Sequence, residues 1–147
     1  MTATGDVYGG ECVVAGRAMA RAVRLDKPLS FWGGFDAERG VIVEPTHPQN
    51  GVSLAGCVML MEKAKGSSSS SSVLAEAIRN GGGPVGIVMR ERDLIVALGC
   101  IVADELYGKS VPLVTVDAQT WEAFQALHGR AVEIVCEAGA PARIGIL

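Results

Sequence analysis

Six serines in a row follow a glycine at residues 66–72, GSSSSSS, and no other stretch of the chain is so dense in hydroxyl groups. A serine hydroxyl is a poor base in water. It takes up a proton from a substrate only where oriented donors stabilise its deprotonated oxygen. A loop running off a strand into a helix supplies such donors, because free N–H groups and the positive end of the helix dipole meet there, and both favour an anionic ligand. On composition alone the same run reads as a flexible tether. The flanking segments decide between the two. GCVMLM, residues 56–61, is a continuous apolar run bounded by glycine and charge, the pattern of a strand covered on both faces. After the serines, Val73, Leu74, Ala77 and Ile78 recur at helical spacing, and Asn80-Gly81 is a stop signal. One strand and one helix need each other's apolar faces, so the serines are a strand-to-helix loop. The residue types leave two uses open: a site for an anion, or a helix cap from Ser71 or Ser72 with the other hydroxyls in water.

The remaining reactive side chains are scattered. Cys12, Cys57, Cys100 and Cys136 include no CxxC and no closely spaced Cys/His pair, which suggests neither a zinc site nor a disulfide framework and favours the cytoplasm. Cys57, Cys100 and Cys136 lie inside the apolar runs LAGCVML, ALGCIVA and VEIVCE and read as small core residues. His47, in PTHPQ, reads as a turn histidine that is structural or exposed, and His128, beside Gly129, as a cation at a helix C-terminus. Phe31-Trp32-Gly33-Gly34 pairs aromatics with a tight turn, at the core edge or on a rim that faces a partner. Asp104, Glu105, Tyr107 and Lys109 read as a solvated helix end, with Lys109 the member that could meet an anion.

The elements that must hold these residues follow from apolar runs and turn signals. PVGIVM (residues 84–89) and VPLVTV (111–116) are further strands, and DLIVALGCIVADELYGKS (93–110) is a helical or mixed connection ending near Gly108. Asp117 caps a helix carrying Trp121, Phe124 and Leu127, closed by Gly129, and RAVEIVCE with ARIGIL forms a last strand pair. The first forty or so residues read as loops and short strands. Strand, helix and strand in alternation predict an α/β fold with a parallel or mixed sheet and crossover helices. A chain of 147 residues fits a single domain, residues 1–147, with a core that needs no staples. A net charge of −3 points to neither nucleic acid nor an anionic membrane. No run reaches the ~18 apolar residues of a membrane span, and MTATGDVYGGEC is not a secretory leader.

Four motifs in order carry a family resemblance: SFWGGFD (30–36), HPQNGVSLAG (47–56), KGSSSSSSVLAEAIRNG (65–81) and ALGCIVADELYGKSVPLV (97–114). Together they resemble the small-subunit, or swivelling-domain, component of the aconitase X family. The resemblance implies a swivelling β/β/α domain, aconitase swivel-like, that works with a separate large subunit as a hydro-lyase removing water from a hydroxy acid. It implies an iron–sulfur centre on the large subunit, with no cofactor and no metal bound by this chain alone. Bacterial members include cis-3-hydroxy-L-proline dehydratases, and archaeal members include mevalonate 5-phosphate dehydratases. In aconitase the matching loop reads Gly-Ser-Ser-Arg. The resemblance thus assigns Ser67 as the general base, with Gly66, Ser68 and Ser69 around the substrate. The arginine position falls on Ser69, so the carboxylate clamp has to come from elsewhere. The wording of SFWGGFD and GSSSSSSVLAEAIRN favours cis-3-hydroxy-L-proline, while Lys63 and Lys65 keep a phosphate in play.

Two other classes remain open. One is a non-catalytic swivel that presents its serine loop to an anion. The other is a phosphotransfer swivel, for which only His47 and His128 are available as carriers.

Overall fold

A computed structural model describes residues 4–147; the first three residues of the N-terminal segment considered above lie outside the described residues. Nine strands and four short or medium helices follow in the order β1 (Val7–Val14), β2 (Gly16–Arg24), α1 (Phe31–Gly34), β3 (Phe35–Asp36), β4 (Val41–Ile42), β5 (Val58–Met61), α2 (Ser70–Asn80), β6 (Gly86–Met89), α3 (Leu94–Tyr107), β7 (Leu113–Thr115), α4 (Ala118–Ala123), β8 (Ala131–Cys136) and β9 (Pro141–Ile146). Seven strands close into a barrel in the order β1-β7-β6-β5-β2-β8-β9, and β3 pairs β4 apart from it. The neighbours β2, β5, β6 and β7 run parallel. The other four pairings in the barrel are antiparallel. The sheet is therefore mixed, as the strand and helix pattern predicts. Its closure, and the length of β1 and β2, go beyond the short strands expected of the first forty residues.

Alternation along the strands divides the apolar side chains between two cores. Val58 and Leu60 of β5 point into the barrel with Val88, Val114, Val132, Ile134 and Ile144, where Trp121, Phe124 and Leu127 join them. Met59 and Met61 point the other way, with Ile87, Met89 and Leu113, onto Leu74, Ala77 and Ile78 of α2 and Val96, Cys100 and Ala103 of α3. Successive strand residues face opposite sides of a sheet, so a strand buried on both sides is a continuous apolar run. All four residues of β5 are fully buried. Gly99 lets α3 lie close on α2, since a Cβ there would stand 2.9 Å from Leu74 Cδ2 and 3.0 Å from the Ser71 carbonyl oxygen. Helix ends at Gly81, Gly108 and Asp117 follow the predicted signals, whereas the cap from Asp93 goes beyond them. The helix expected from Asp117 to Gly129 ends at Ala123 and passes into a 3-10 turn over Phe124–Leu127. Asp93 Oδ1 accepts the N–H groups of Ile95 and Val96, Asp117 accepts that of Thr120, and Gly81 and Gly108 close α2 and α3 in the left-handed conformation.

The cysteines require a correction. Cys57 and Cys100 are free, buried thiols, as expected, and burial pushes both up to about 12. Cys136 is buried too, but it is bonded to Cys12 across 124 residues of sequence. Spacing conceals this pair because the barrel brings it together: Gly16, at the start of β2, faces Cys136 in register, and Cys12 lies just before the β1–β2 turn. Cross-linking ends so far apart in sequence restricts the unfolded chain, so reduction or Cys12→Ser should lower the unfolding free energy by about 2–4 kcal/mol. Denaturant unfolding with and without reductant measures this. In the folded, unreduced protein no thiol should react with an alkylating agent at neutral pH, and two should react on unfolding; four reactive thiols on unfolding would dissolve the bond.

Candidate functional site

The serine loop leaves the C-terminal end of β5 and enters α2 at Ser70, so it lies over the strand ends where α2 and α3 both begin. Gly66 makes the first turn. Its φ of +117° suits glycine alone, and a Cβ would stand 2.0 Å from Ser30 Oγ. The chain then winds into a tight turn in which Ser70 N–H donates to the Ser67 carbonyl at 3.0 Å and Ser69 N–H donates to Ser67 Oγ at 3.2 Å. Ser67, Ser68 and Ser69 are exposed. The N–H groups of Ser67 and Ser68 have no partner among the described residues, which leaves two donors free for a ligand.

A shallow cavity of about 50 Å3 opens beside this turn. Its lining includes Phe31, Lys65, Gly66, Ser67, Ser70 and Asp93. Two of the four residues assigned by resemblance, Gly66 and Ser67, therefore reach the cavity wall, while Ser68 and Ser69 are exposed beside it and do not line it. Lys65 is the cation of the cavity, and Glu44 holds its Nζ at 3.0 Å. Phe31 and Trp32 divide the roles left open for them: Phe31 is buried in the core, and Trp32 is 58% exposed on the rim.

Helix capping differs from expectation. The helix begins at Ser70, with Ser69 at the cap position, and no side chain caps it. Ser71 and Ser72 lie inside the first turn, where their hydroxyls donate back to the carbonyls of Ser68 and Ser69. Both lie one turn too late to reach the free N–H groups. Ser70 escaped sequence reasoning: it is buried, and its Oγ accepts Trp32 N–H at 3.1 Å. Nothing in a run of identical residues marks which one turns inward.

The other candidates fall away from the cavity. His47 is buried, with Nε2 3.1 Å from the Lys27 carbonyl and Nδ1 accepting Gln49 N–H, so it is a structural histidine that holds its own loop. His128 follows the Phe124–Leu127 turn, and its Nδ1 accepts the backbone N–H of Arg24 at 3.1 Å, far from the serines in sequence. Lys109 donates to the Arg79 carbonyl at the far end of α2 from the serines. The side chains present do not fit an iron–sulfur cluster: of the four cysteine sulfurs, two are bonded to each other and two are buried thiols. Among the described residues, no three of His, Cys, Asp and Glu converge to hold an ion.

The contact between Gly66 and Ser30 can be checked directly. Gly66→Ala should cost about 1–3 kcal/mol of stability, because the new Cβ meets Ser30 in a backbone conformation that disfavours it. Denaturant unfolding at unchanged slope would show the loss, whereas wild-type stability would place Ser30 elsewhere.

Comparison with known proteins bears on the fold and the family. The profile of the family described as the aconitase X swivel domain matches residues 7–140. A cis-3-hydroxy-L-proline dehydratase from Pseudomonas aeruginosa is 42% identical over 101 residues, 69% of this chain but 17% of that protein. This chain thus spans less than a fifth of that relative. A phosphomevalonate dehydratase small subunit from Pyrococcus furiosus is 36% identical over 106 residues, covering 72% of this chain and 75% of that one. The crystal structure of Thermococcus kodakaraensis aconitase X in its holo form superposes with a TM-score of 0.82 at 29% identity, over 97% of this chain and 99% of that one. The barrel with α2 and α3 on one side is accordingly the aconitase X swivel fold, and the chain belongs to the aconitase X swivel domain family.

Proposed function

We propose that this chain is the swivelling small component of a two-component hydro-lyase, a carbon–oxygen lyase active only with its large subunit, and that Ser67 is its general base. The observation that carries the proposal is the Ser69 N–H aimed at Ser67 Oγ at 3.2 Å, at the start of α2 and on the wall of the cavity. An N–H donor and a helix N-terminus both favour the anionic form of that oxygen. Ser67 Oγ takes the proton from the carbon next to the substrate carboxylate, and the electron pair moves onto the carboxylate oxygens. The free N–H groups of Ser67 and Ser68, with the hydroxyls of Ser68 and Ser69, bind that charge. Lys65 is the cation available to a carboxylate or phosphate, taking the place of the arginine that Ser69 replaces.

The pair then returns to form the carbon–carbon double bond as the carbon–oxygen bond to the hydroxyl group on the neighbouring carbon breaks, and with hydroxyproline the resulting enamine shifts a proton from nitrogen to carbon to give the imine. An iron–sulfur group would belong to the large subunit, where it would supply a Lewis acid for the leaving hydroxyl. We read residues 1–147 as one swivelling unit, because β5, β6 and β7 contribute to both cores.

A partner is supported by two surface features. The cavity of about 50 Å3 is too small to enclose a hydroxy acid. Beside it, α3 exposes Leu94, Leu98 and Ile101, one stripe at helical spacing, 72%, 49% and 45% exposed. The helix is thus apolar on the face it buries and on the face it shows. That outer face starts next to Asp93, which lines the cavity. A large subunit seated there closes the site. The substrate we favour is cis-3-hydroxy-L-proline, converted to Δ1-pyrroline-2-carboxylate; mevalonate 5-phosphate is the alternative, and the position of Lys65 on the cavity wall is what favours it. No helix among the described residues is long and apolar enough to cross a membrane. We place the chain in the cytoplasm on its two free thiols; the Cys12–Cys136 bond weighs against this, and thiol trapping in fresh lysate decides it.

In the assembled complex, Ser67→Ala should lower kcat by about 10²-fold or more, the usual cost of losing a general base, with the melting temperature little changed. Ser72→Ala should leave both close to wild type, because its hydroxyl is exposed and only back-bonds to Ser69. Turnover assays on both substrates check this, and near-normal kcat for Ser67→Ala would move the base to another residue. Leu98→Asp should weaken assembly with the large subunit by about tenfold or more while the chain itself stays folded. Titration calorimetry reads that loss, and unaltered affinity would remove α3 from the interface.

A further inference from the structure

Ser70 and His47 are the polar side chains buried among the described residues, and no step above uses Ser70. Its oxygen accepts the N–H of Trp32 at 3.1 Å. Ser30 Oγ lies 3.5 Å from Ser70 Oγ and also reaches the Trp32 carbonyl at 3.0 Å. Each hydroxyl has one proton to give. That of Ser30 goes to the carbonyl, so that of Ser70 goes to Ser30. The bonds close a ring: Trp32 N–H to Ser70, Ser70 to Ser30, and Ser30 to the Trp32 carbonyl. The two peptide groups that flank Trp32 on the aromatic rim are held by two serines that lie 40 residues apart.

The ring touches the Ser67 turn on both sides. Ahead of Ser67, Ser30 packs on Gly66 so closely that a Cβ would stand 2.0 Å from its oxygen. Behind it, Ser70 gives its backbone N–H to the Ser67 carbonyl at 3.0 Å. Residues 66 and 70 are therefore both fixed to the segment that carries Trp32, and the turn between them keeps little freedom. Trp32 and Gly33 depart from helical angles inside α1, with ψ of 111° and φ of +81°, so this segment has no regular helix of its own to fix it.

We propose that Ser30 and Ser70 are positioning residues, whose hydroxyl ring sets the direction of the Ser67 hydroxyl; the proposal rests on Ser67 being the base. A misplacement of the order of 1 Å at a reacting group can cost about 10²-fold in rate, so such a ring has a functional consequence larger than its own bonds.

Two measurements test it. The first needs no turnover: amide hydrogen exchange, followed by NMR on the full chain. Ser70→Ala and Ser30→Ala should each speed exchange at Trp32 and Ser69 by about tenfold, as expected for loss of one buried hydrogen-bond partner, with β5 and β6 unchanged. Unaltered exchange at Ser69 in both variants overturns the link between ring and turn. The second uses the complex with cis-3-hydroxy-L-proline and, in parallel, mevalonate 5-phosphate. Ser70→Ala should lower kcat by about tenfold or more with KM within about twofold, and Ser70→Thr, which keeps the hydroxyl, should recover most of it. A purely structural hydroxyl would lower the melting temperature and leave kcat intact. Ser67→Ala, assayed alongside, separates the readings. Full activity in Ser67→Ala removes the base; an inactive Ser67→Ala beside a fully active Ser70→Ala removes the positioning role alone.

Discussion

The double burial of β5 is the constraint on which the other features rest. Val58 and Leu60 belong to the barrel interior, Met59 and Met61 to the layer under α2 and α3, and no residue of the strand reaches water. A strand pinned on both faces has neither rotational nor sliding freedom, since a slip of one residue would exchange the two sets of side chains. The loop that leaves such a strand starts from a fixed point. That is why a segment of glycine and serines, which elsewhere would be a tether, can have a defined shape here.

From that point the site is built of backbone more than of side chains. The turn at Ser67 is closed by the N–H groups of Ser69 and Ser70. The neighbouring helix start is already satisfied by Asp93, whose carboxylate takes two N–H groups of α3. The contrast between the two helix ends is informative. The α3 terminus is capped by its own aspartate, whereas α2 has no side-chain cap at Ser69 and is entered by a turn whose Ser67 and Ser68 N–H groups have no partner among the described residues. A turn with unpartnered N–H groups next to a cavity is available to an anion, and a capped helix start is not.

The far side of the barrel has another role. The Cys12–Cys136 bond ties β1 to β8, and Trp121, Phe124 and Leu127 fill the interior there, well separated in sequence from the serines. Arg24 lies over the Trp121 ring at 5.2 Å and gives its backbone N–H to His128. This half supports the scaffold, and the half with α2 and α3 carries the candidate chemistry.

Much of this was legible in the order of residues, because the signals involved are local. An unbroken apolar run marks β5, a period of 3.6 marks α2, Asp117 and Gly81 mark helix ends, and the motif order marks the family. What the sequence left undetermined involves residues brought together from afar. Closure of the barrel depends on β1 meeting β7 and β9, and the disulfide on residues 124 apart. The role of His128 depends on the N–H of Arg24, 104 residues away. Within the serine run the sequence was silent for another reason: six identical side chains carry no pattern. Which hydroxyl faces the cavity, which back-bonds and which is buried against Trp32 follow from where α2 begins and from what the neighbouring loop presents to it. The residue types determined that a hydroxyl-rich turn stands at a helix start; tertiary packing alone decided which hydroxyl does what, because only the fold brings Ser30 and Trp32 against the turn.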